Sequence, residues 1–251
     1  MGETPGTQAI ERAADLLVRV VESGGPVGIG ELAATSGLPK STTSRLVGAL
    51  ERQGLVERDG QRGRLRPGPV LLRFAHRADE TLVDLADEAL RRLAHRSAET
   101  VNLGVPAYEA VEHLAQRDSR HFVGVGNWIG RRVPLHATAN GKVFLAYGAA
   151  RVPAQLDRLA SETIIDRARL ERELTEVRAR GYATAVDELE DGLAAVAAPV
   201  FGSDGAVVAA LSVSAPSVRL TSEQMDAVIP YLQEESDALS ARLGYTRGGA
   251  A

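Results

Sequence analysis

The 251-residue chain has no cysteine, one tryptophan and four phenylalanines. Without thiols there is no disulfide, no thiolate metal site and no cysteine nucleophile. No apolar run reaches the roughly eighteen residues a membrane-spanning helix needs, so no membrane partner is expected. The first residues lack the basic-then-apolar pattern of an export signal, and a cytoplasmic location is expected. An excess of positive charge is missing too: the formal net charge is −4, with 44% hydrophobic and 25% charged residues. That balance suits a globular protein with a buried core. As an average, the charge speaks against a nucleic-acid partner.

The distribution of charge says more than its sum. Residues 1–67 carry nine Lys/Arg and eight Asp/Glu, and within 39–66 seven basic groups face three acidic ones. The basic set is Lys40, Arg45, Arg52, Arg58, Arg62, Arg64 and Arg66. Such a cluster is local enough to meet phosphates. Charge alone does not separate that role from an ordinary solvated face.

Periodicity supplies the frame. Ile10, Ala14, Leu17, Val18 and Val21 recur at helical spacing until Ser23-Gly24-Gly25-Pro26 ends the run. A short second helix carries Ile29, Leu32 and Ala33, and Gly37 suits the left-handed residue past its end. Pro39 fits the first position of a third helix running through Leu46, Val47 and Leu50 to Gly54. Two short extended runs then flank Asp59-Gly60, a hairpin signal. Three helices and a basic hairpin are the order of a winged helix-turn-helix, expected over 1–67. In the third helix Lys40, Ser41, Thr42, Ser44 and Arg45 are the candidate DNA readers, because short hydroxyls allow close approach and arginine can pair with guanine. Arg62, Arg64 and Arg66 on the hairpin are candidates for the phosphate backbone.

A linking helix is expected over 71–78, within a linker at 68–80, and a second helix from Thr81 with Leu82, Leu85, Ala86, Ala89 and Leu93 on one side. Beyond residue 98 short strands alternate with helices. Strands are expected at 100–105, 110–116, 122–129, 183–186, 193–200 and 207–214. Helices are expected near 141–148, 153–159, 166–180 and 222–242. Asp166 and Thr221, the latter with Gln224, read as helix caps. The fold class is therefore α+β: an antiparallel sheet with packed helices over 81–246, and a disordered tail at 247–251.

Several chemistries lack their motif. Gly141-Lys142 is no phosphate loop, since His136 stands where its first glycine belongs. The five histidines show no metal-ligand spacing and read as surface or hydrogen-bonding residues, and no cofactor is expected. No Gly-x-Ser-x-Gly elbow surrounds Ser212 or Ser214, which argues against a serine hydrolase. A module that binds DNA or itself without sensing a ligand stays an alternative.

Residues 9–13, 37–42, 55–58, 99–103, 134–142, 180–183, 188–190, 197–200 and 211–214 together resemble, in order, the IclR family of bacterial transcription regulators. That resemblance implies a winged helix-turn-helix, a helical linker and a GAF-like effector domain, assembled as a homodimer or homotetramer. It implies double-stranded DNA with an inverted-repeat operator as one partner and a small-molecule effector as the other, and no enzymatic activity. By the same resemblance the effector pocket falls on Ala139, Asn140, Ala185, Ala195, Ser212 and Ser214. The chain departs from the family pattern at three of these. Ala185 and Ala195 stand where an aspartate and a cysteine are common, and Asn140 brings an amide where a small or aliphatic residue is usual. Trp128 and Phe122, on the strand expected before this loop, could face an aromatic or aliphatic ligand, although core packing is their plainer role. With a carboxylate and a thiol missing, the effector expected is a small organic acid or aromatic metabolite.

Overall fold

In the computed structural model, which describes residues 7–23, 25–59 and 63–246, three helices open the chain: α1 (Thr7–Glu22), α2 (Ile29–Ser36) and α3 (Lys40–Arg52). A hairpin of β1 (Val56–Arg58) and β2 (Leu65–Pro67) follows. Leu16, Val20, Val27, Leu32, Val47, Leu50, Val56 and Leu65 bury together and hold these elements as one core. Val27 also exchanges backbone hydrogen bonds with Leu65, at 2.9 and 2.8 Å, tying the hairpin to the segment before α2. Gly37 takes the left-handed conformation at φ 69° that ends α2. Pro39 stands one residue before α3 rather than inside it. The hairpin pairs Arg58 with Leu65, and Asp59 N donates to Arg64 O, so the connection is longer than a two-residue turn. Gly60 and Arg62 lie outside the described residues.

On α1 the face that enters the core is not the expected one. Leu16 and Val20 are buried, while Ile10, Ala14, Val18 and Val21 form a second apolar row that is exposed. The two helices expected at 71–78 and from Thr81 are one, α4 (Pro69–Ser97), because Ala78-Asp79-Glu80 contains nothing that stops a helix. The chain divides into two units between Thr81 and Leu82.

The second unit is built on an antiparallel sheet in the order β5-β4-β3-β8-β7-β6. Its strands are β3 (Thr100–Ala107), β4 (Ala110–Arg117), β5 (Arg132–Pro134), β6 (Ala183–Val186), β7 (Leu193–Phe201) and β8 (Val207–Pro216). Strand periodicity sorts the side chains. Ala194, Val196, Ala198 and Val200 of β7, with Ala209, Leu211, Val213 and Ala215 of β8, pack with Ala89, Leu90 and Leu93 of α4 and with α7 (Ser222–Arg242). The intervening positions belong to the other face, covered by α5 (Ala139–Ala146) and α6 (Arg167–Arg180). Asp166 caps α6 by accepting from Arg169 N at 2.7 Å, and Thr221 accepts from Gln224 N at the start of α7.

Two expected elements are absent and one is new. Residues 122–129 form no strand; only Ile129 makes a single bridge, to His113, and Phe122 is fully exposed. Residues 153–159 form no helix. Their carbonyls are taken by side chains instead: Pro153 O accepts from Arg167 at 2.7 Å and Asp157 O meets His136 Nε2 at 2.9 Å. The short edge strand β5 has no counterpart among the expected strands. The tail at 247–251 lies outside the described residues.

Candidate functional site

α3 separates its residues cleanly. Thr43 is buried and donates its hydroxyl to Pro39 O at 3.2 Å, while Val47 and Leu50 enter the core. That orientation leaves Lys40, Ser41, Ser44 and Arg45 exposed and Thr42 half-buried. Neither Lys40 nor Arg45 has an ion-pair partner among the described residues. The hairpin arginines differ. Arg64 donates to Pro26 O at 2.7 Å and pairs with Glu31 at 3.2 Å, whereas Arg66 pairs at 2.8 Å with Glu57, its cross-strand neighbour. Both partners in each pair stay in contact with solvent, so the pairs hold the hairpin only weakly. Among the described residues of this unit, Lys40 and Arg45 of α3 are thus without an ion pair, whereas Arg64 and Arg66 of the hairpin are paired.

In the second unit, a cavity of about 490 Å3, its opening included, lies on the α5 side of the sheet. Ala139, Asn140, Ala185, Ala195, Ser212, Ser214 and Trp128 all line it. Strand register explains part of this convergence. Ala185 pairs with Ala195, and Ala195 with Ser214, so three small side chains follow one another across β6, β7 and β8. Larger residues at these positions would fill the space.

α5 supplies the opposite wall, and two glycines fix its place. A Cβ on Gly141 would stand 2.1 Å from Leu135 O, so only glycine lets the helix start against that backbone. A Cβ on Gly104 of β3 would stand 2.6 Å from Asn140 Nδ2, so glycine there lets Asn140 reach the sheet. Thr138 caps α5, accepting from Gly141 N at 3.2 Å and donating to Pro134 O at 2.9 Å. One turn on, the fully buried Lys142 donates to Thr184 O at 2.9 Å and to Glu188 Oε1 at 2.6 Å. Burial pushes the Glu188 carboxyl above the usual range, against the pull of Lys142. This pair joins α5 to the segment carrying Ala185 and Leu189, two further pieces of the wall.

The wall also contains residues that sequence reasoning missed, Asn102 and His113 foremost. Asn102 donates to Ser214 Oγ at 3.2 Å, and His113 Nε2 lies 3.5 Å from Asn140 Nδ2. The signal was present in part, since Asn102 falls inside the block 99–103. His113 is buried, which holds its imidazole at about 4, and its ring lies 6.3 Å from that of Trp128. At neutral pH no ionised side chain lines the cavity. Asn102 Oδ1, Asn140 Oδ1 and His113 Nδ1 are buried there with no hydrogen-bond partner. Each such atom costs about 1–3 kcal/mol when left unmatched. The three residues that carry these atoms all line one mostly apolar space, where a small polar molecule can supply the missing partners. Ser214 accepts from Asn102 and meets no imidazole, so no nucleophile–base pair is built here. Among the described residues no cluster of His, Asp or Glu could hold a metal ion, and no helix is long and apolar enough to cross a membrane.

Comparison with known proteins matches residues 9–60 to the IclR helix-turn-helix domain and residues 76–241 to the bacterial transcriptional regulator IclR C-terminal domain. The chain is 32% identical over 247 residues to the HTH-type transcriptional repressor AllR of Klebsiella pneumoniae, covering 95% of this chain and 91% of the relative. The crystal structure of the Thermotoga maritima IclR is similar with a TM-score of 0.62 at 27% identity, over 95% of this chain and 100% of that one. An IclR homologue from Microbacterium hydrocarbonoxydans, solved in complex with 4-hydroxybenzoate, is similar with a TM-score of 0.59 at 25% identity, over 94% of this chain and 98% of that one. These matches are to transcription regulators and not to enzymes.

Proposed function

The chain belongs to the IclR family of bacterial DNA-binding transcription regulators, and from that premise we propose that occupancy of the C-terminal cavity by a small organic acid or aromatic metabolite sets its affinity for an operator. The observation that carries this reading is the set of three unpartnered buried polar atoms, on Asn102, Asn140 and His113, in one otherwise neutral cavity. The complex of the Microbacterium homologue with 4-hydroxybenzoate supports the ligand class. In this reading residues 81–246 are the effector domain, 68–80 the linker and 1–67 the DNA-binding domain. Asn140, Ser212 and Ser214 orient the ligand, while Ala139, Ala185, Ala195 and Trp128 pack on it.

On the DNA side, Lys40, Ser41, Thr42, Ser44 and Arg45 of α3 enter the major groove. Arg45 is suited to read a base, because it is exposed and has no ion-pair partner among the described residues. Arg62, Arg64 and Arg66 serve the phosphate backbone, the last two after giving up Glu31 and Glu57. The assembly is a homodimer or homotetramer on an inverted repeat. The exposed apolar row Ile10, Ala14, Val18 and Val21 on α1, and the exposed Leu72 and Phe74 on α4, support self-association. A bound effector acts only through a difference in its affinity for the states that bind DNA well and badly.

Calorimetry against a panel of small acids and aromatic metabolites tests the cavity. The variant carrying Asn140→Ala and Ser214→Ala should bind the best ligand more weakly by a few kcal/mol at most, about 1 for each lost hydrogen bond or somewhat more. Equal affinity in wild type and variant would place the effector elsewhere.

A further inference from the structure

An anion entering this cavity meets a difficulty that the effector reading does not resolve. Asn102, Asn140, Thr138, Ser212 and Ser214 offer dipoles but no positive charge. Of the nearby cations, Lys142 is held by Glu188 and Thr184 O, and the exposed Arg131 lies over the Trp128 ring at 5.5 Å without lining the cavity. A carboxylate buried without a cation is costly. Among the residues that line the cavity His113 is the one whose side chain can gain a positive charge near neutral pH.

Resting on the effector reading, we propose that a carboxylate ligand is bound together with one proton, which His113 takes up from solvent. The surroundings of His113 fit that role. α5 faces it with Asn140, the segment before β5 with Trp128, and β3 with Gly104, its register partner. None of these is charged, and burial is the cause of its depressed basicity. With an imidazole held at about 4, roughly one empty site in a thousand carries the proton at pH 7. An anion in contact with the ring leaves it buried but offsets that depression, since the charged form then has a partner.

Asn140 makes the uptake chemically possible at both ring nitrogens. Its Nδ2 donates toward Nε2 at 3.5 Å, which leaves the neutral ring with its hydrogen on Nδ1. Protonation adds a hydrogen to Nε2, and that nitrogen can no longer accept. Turning the Asn140 amide over presents Oδ1, now without a partner, to the new N–H, and releases Nδ2 to the ligand. The absence of a Cβ at Gly104 leaves the amide room at that spot. Nδ1–H is then free to donate to the carboxylate. No covalent bond other than N–H is made, and the balance is one ligand anion and one proton per site.

Titration calorimetry of the full chain at pH 6.5, in two buffers of different ionisation enthalpy, reads the proton directly. The probes are 4-hydroxybenzoate, benzoate and propionate, with benzamide and propionamide as neutral counterparts. The expected result is uptake of close to one proton per bound carboxylate and none per amide. The carboxylates should also bind more tightly as the pH falls from 7.5 to 6, with a limiting slope of about tenfold per unit. His113→Gln should abolish uptake and pH slope while retaining the amides. Carboxylate binding with heats independent of buffer would overturn the inference and leave the effector reading standing. Uptake that survives in His113→Gln would put the proton on the ligand and also overturn it. If no probe binds the unaltered protein, the small-acid reading fails and this inference with it.

Discussion

On one face of the six-stranded sheet, β7 and β8 present Val196, Val200, Leu211 and Val213 to α4 and α7; on the other, the alternate positions present Ala195, Ala197, Ser212 and Ser214 to α5 and a cavity. Both faces come from the same stretches of sequence, one step out of phase. On the first, Val196, Val200, Leu211 and Val213, interleaved with four alanines, meet the large side chains of α4 and α7, and stability comes from their burial. On the second, small and hydroxylated chains leave space, and a buried ion pair, Lys142 with Glu188, joins the covering elements. The difference shows where this domain has given up packing, and unmatched polar atoms gather in the same place.

Damaging each face in turn and measuring unfolding by denaturant puts that contrast at risk. Glu188→Ala removes the 2.6 Å partner of the buried Lys142 ammonium, leaves it only Thr184 O and Glu173 at 4.0 Å, and should cost about 3–5 kcal/mol. Leu211→Ala, on the packed face, should cost about 2–5 kcal/mol. Ser212→Ala, its neighbour on the cavity face, should stay within about 1 kcal/mol. If Ser212→Ala proved as harmful as Leu211→Ala, the cavity face would be ordinary core.

Acid should act on the cavity face as well. The His113 imidazole is at about 4 in the fold against an ordinary value of 6.5. Its neutral form is the one the fold accepts, so its contribution is fully present above 6.5 and is lost as the pH falls from there through 4. At about 1.4 kcal/mol per unit, the loss amounts to about 3 kcal/mol. Glu188, raised by burial, works in the opposite sense, since its protonation on acidification favours the fold. Comparing the pH dependence of unfolding in wild type and His113→Gln isolates the first effect; parallel curves would show that His113 is not held neutral.

The packed face was legible in the sequence because simple alternation holds there. Strands at 183–186, 193–200 and 207–214 differ from the observed ones by at most a few terminal residues. The cavity face was legible where family resemblance placed residues and at Trp128, whose aromatic ring before the loop was a candidate for facing a ligand. His113 escaped because of a bulge. Leu103 pairs with Ala115 but Gly104 with His113, so Leu114 is the extra residue. His113 and Gln116 consequently share the cavity face while Leu114 and Ala115 pack on the other. A period of two carried straight through 110–116 cannot find that arrangement. The loop before β5 misled for another reason. Its apolar residues Phe122, Val123 and Ile129 are exposed, and Trp128 is held by a hydrogen bond from its N–H to Gln116 Oε1 at 2.9 Å, not by strand pairing.

Smaller effects are expected on the DNA side, where α3 and the hairpin provide a similar contrast. Arg45→Ala should cost about 1–3 kcal/mol of operator binding and relax preference over random duplex. Arg66→Ala should weaken binding to all sequences alike and lower the log–log salt slope by about one unit, with a change in folding stability under about 1 kcal/mol. A gel-shift competition at several salt concentrations separates the two. Loss confined to the operator in Arg66→Ala would move that arginine from backbone contact to base reading.

The most direct measurement is operator affinity as a function of ligand, by fluorescence anisotropy, in the wild type and in the Asn140→Ala, Ser214→Ala double variant. In the wild type a saturating cavity ligand should change operator affinity by roughly five- to a hundredfold. The double variant should bind the operator as tightly as the ligand-free wild type and should respond only at much higher ligand concentration. An identical response in both proteins, or no response in a wild type that calorimetry shows to be saturated, would contradict the link between this cavity and DNA binding.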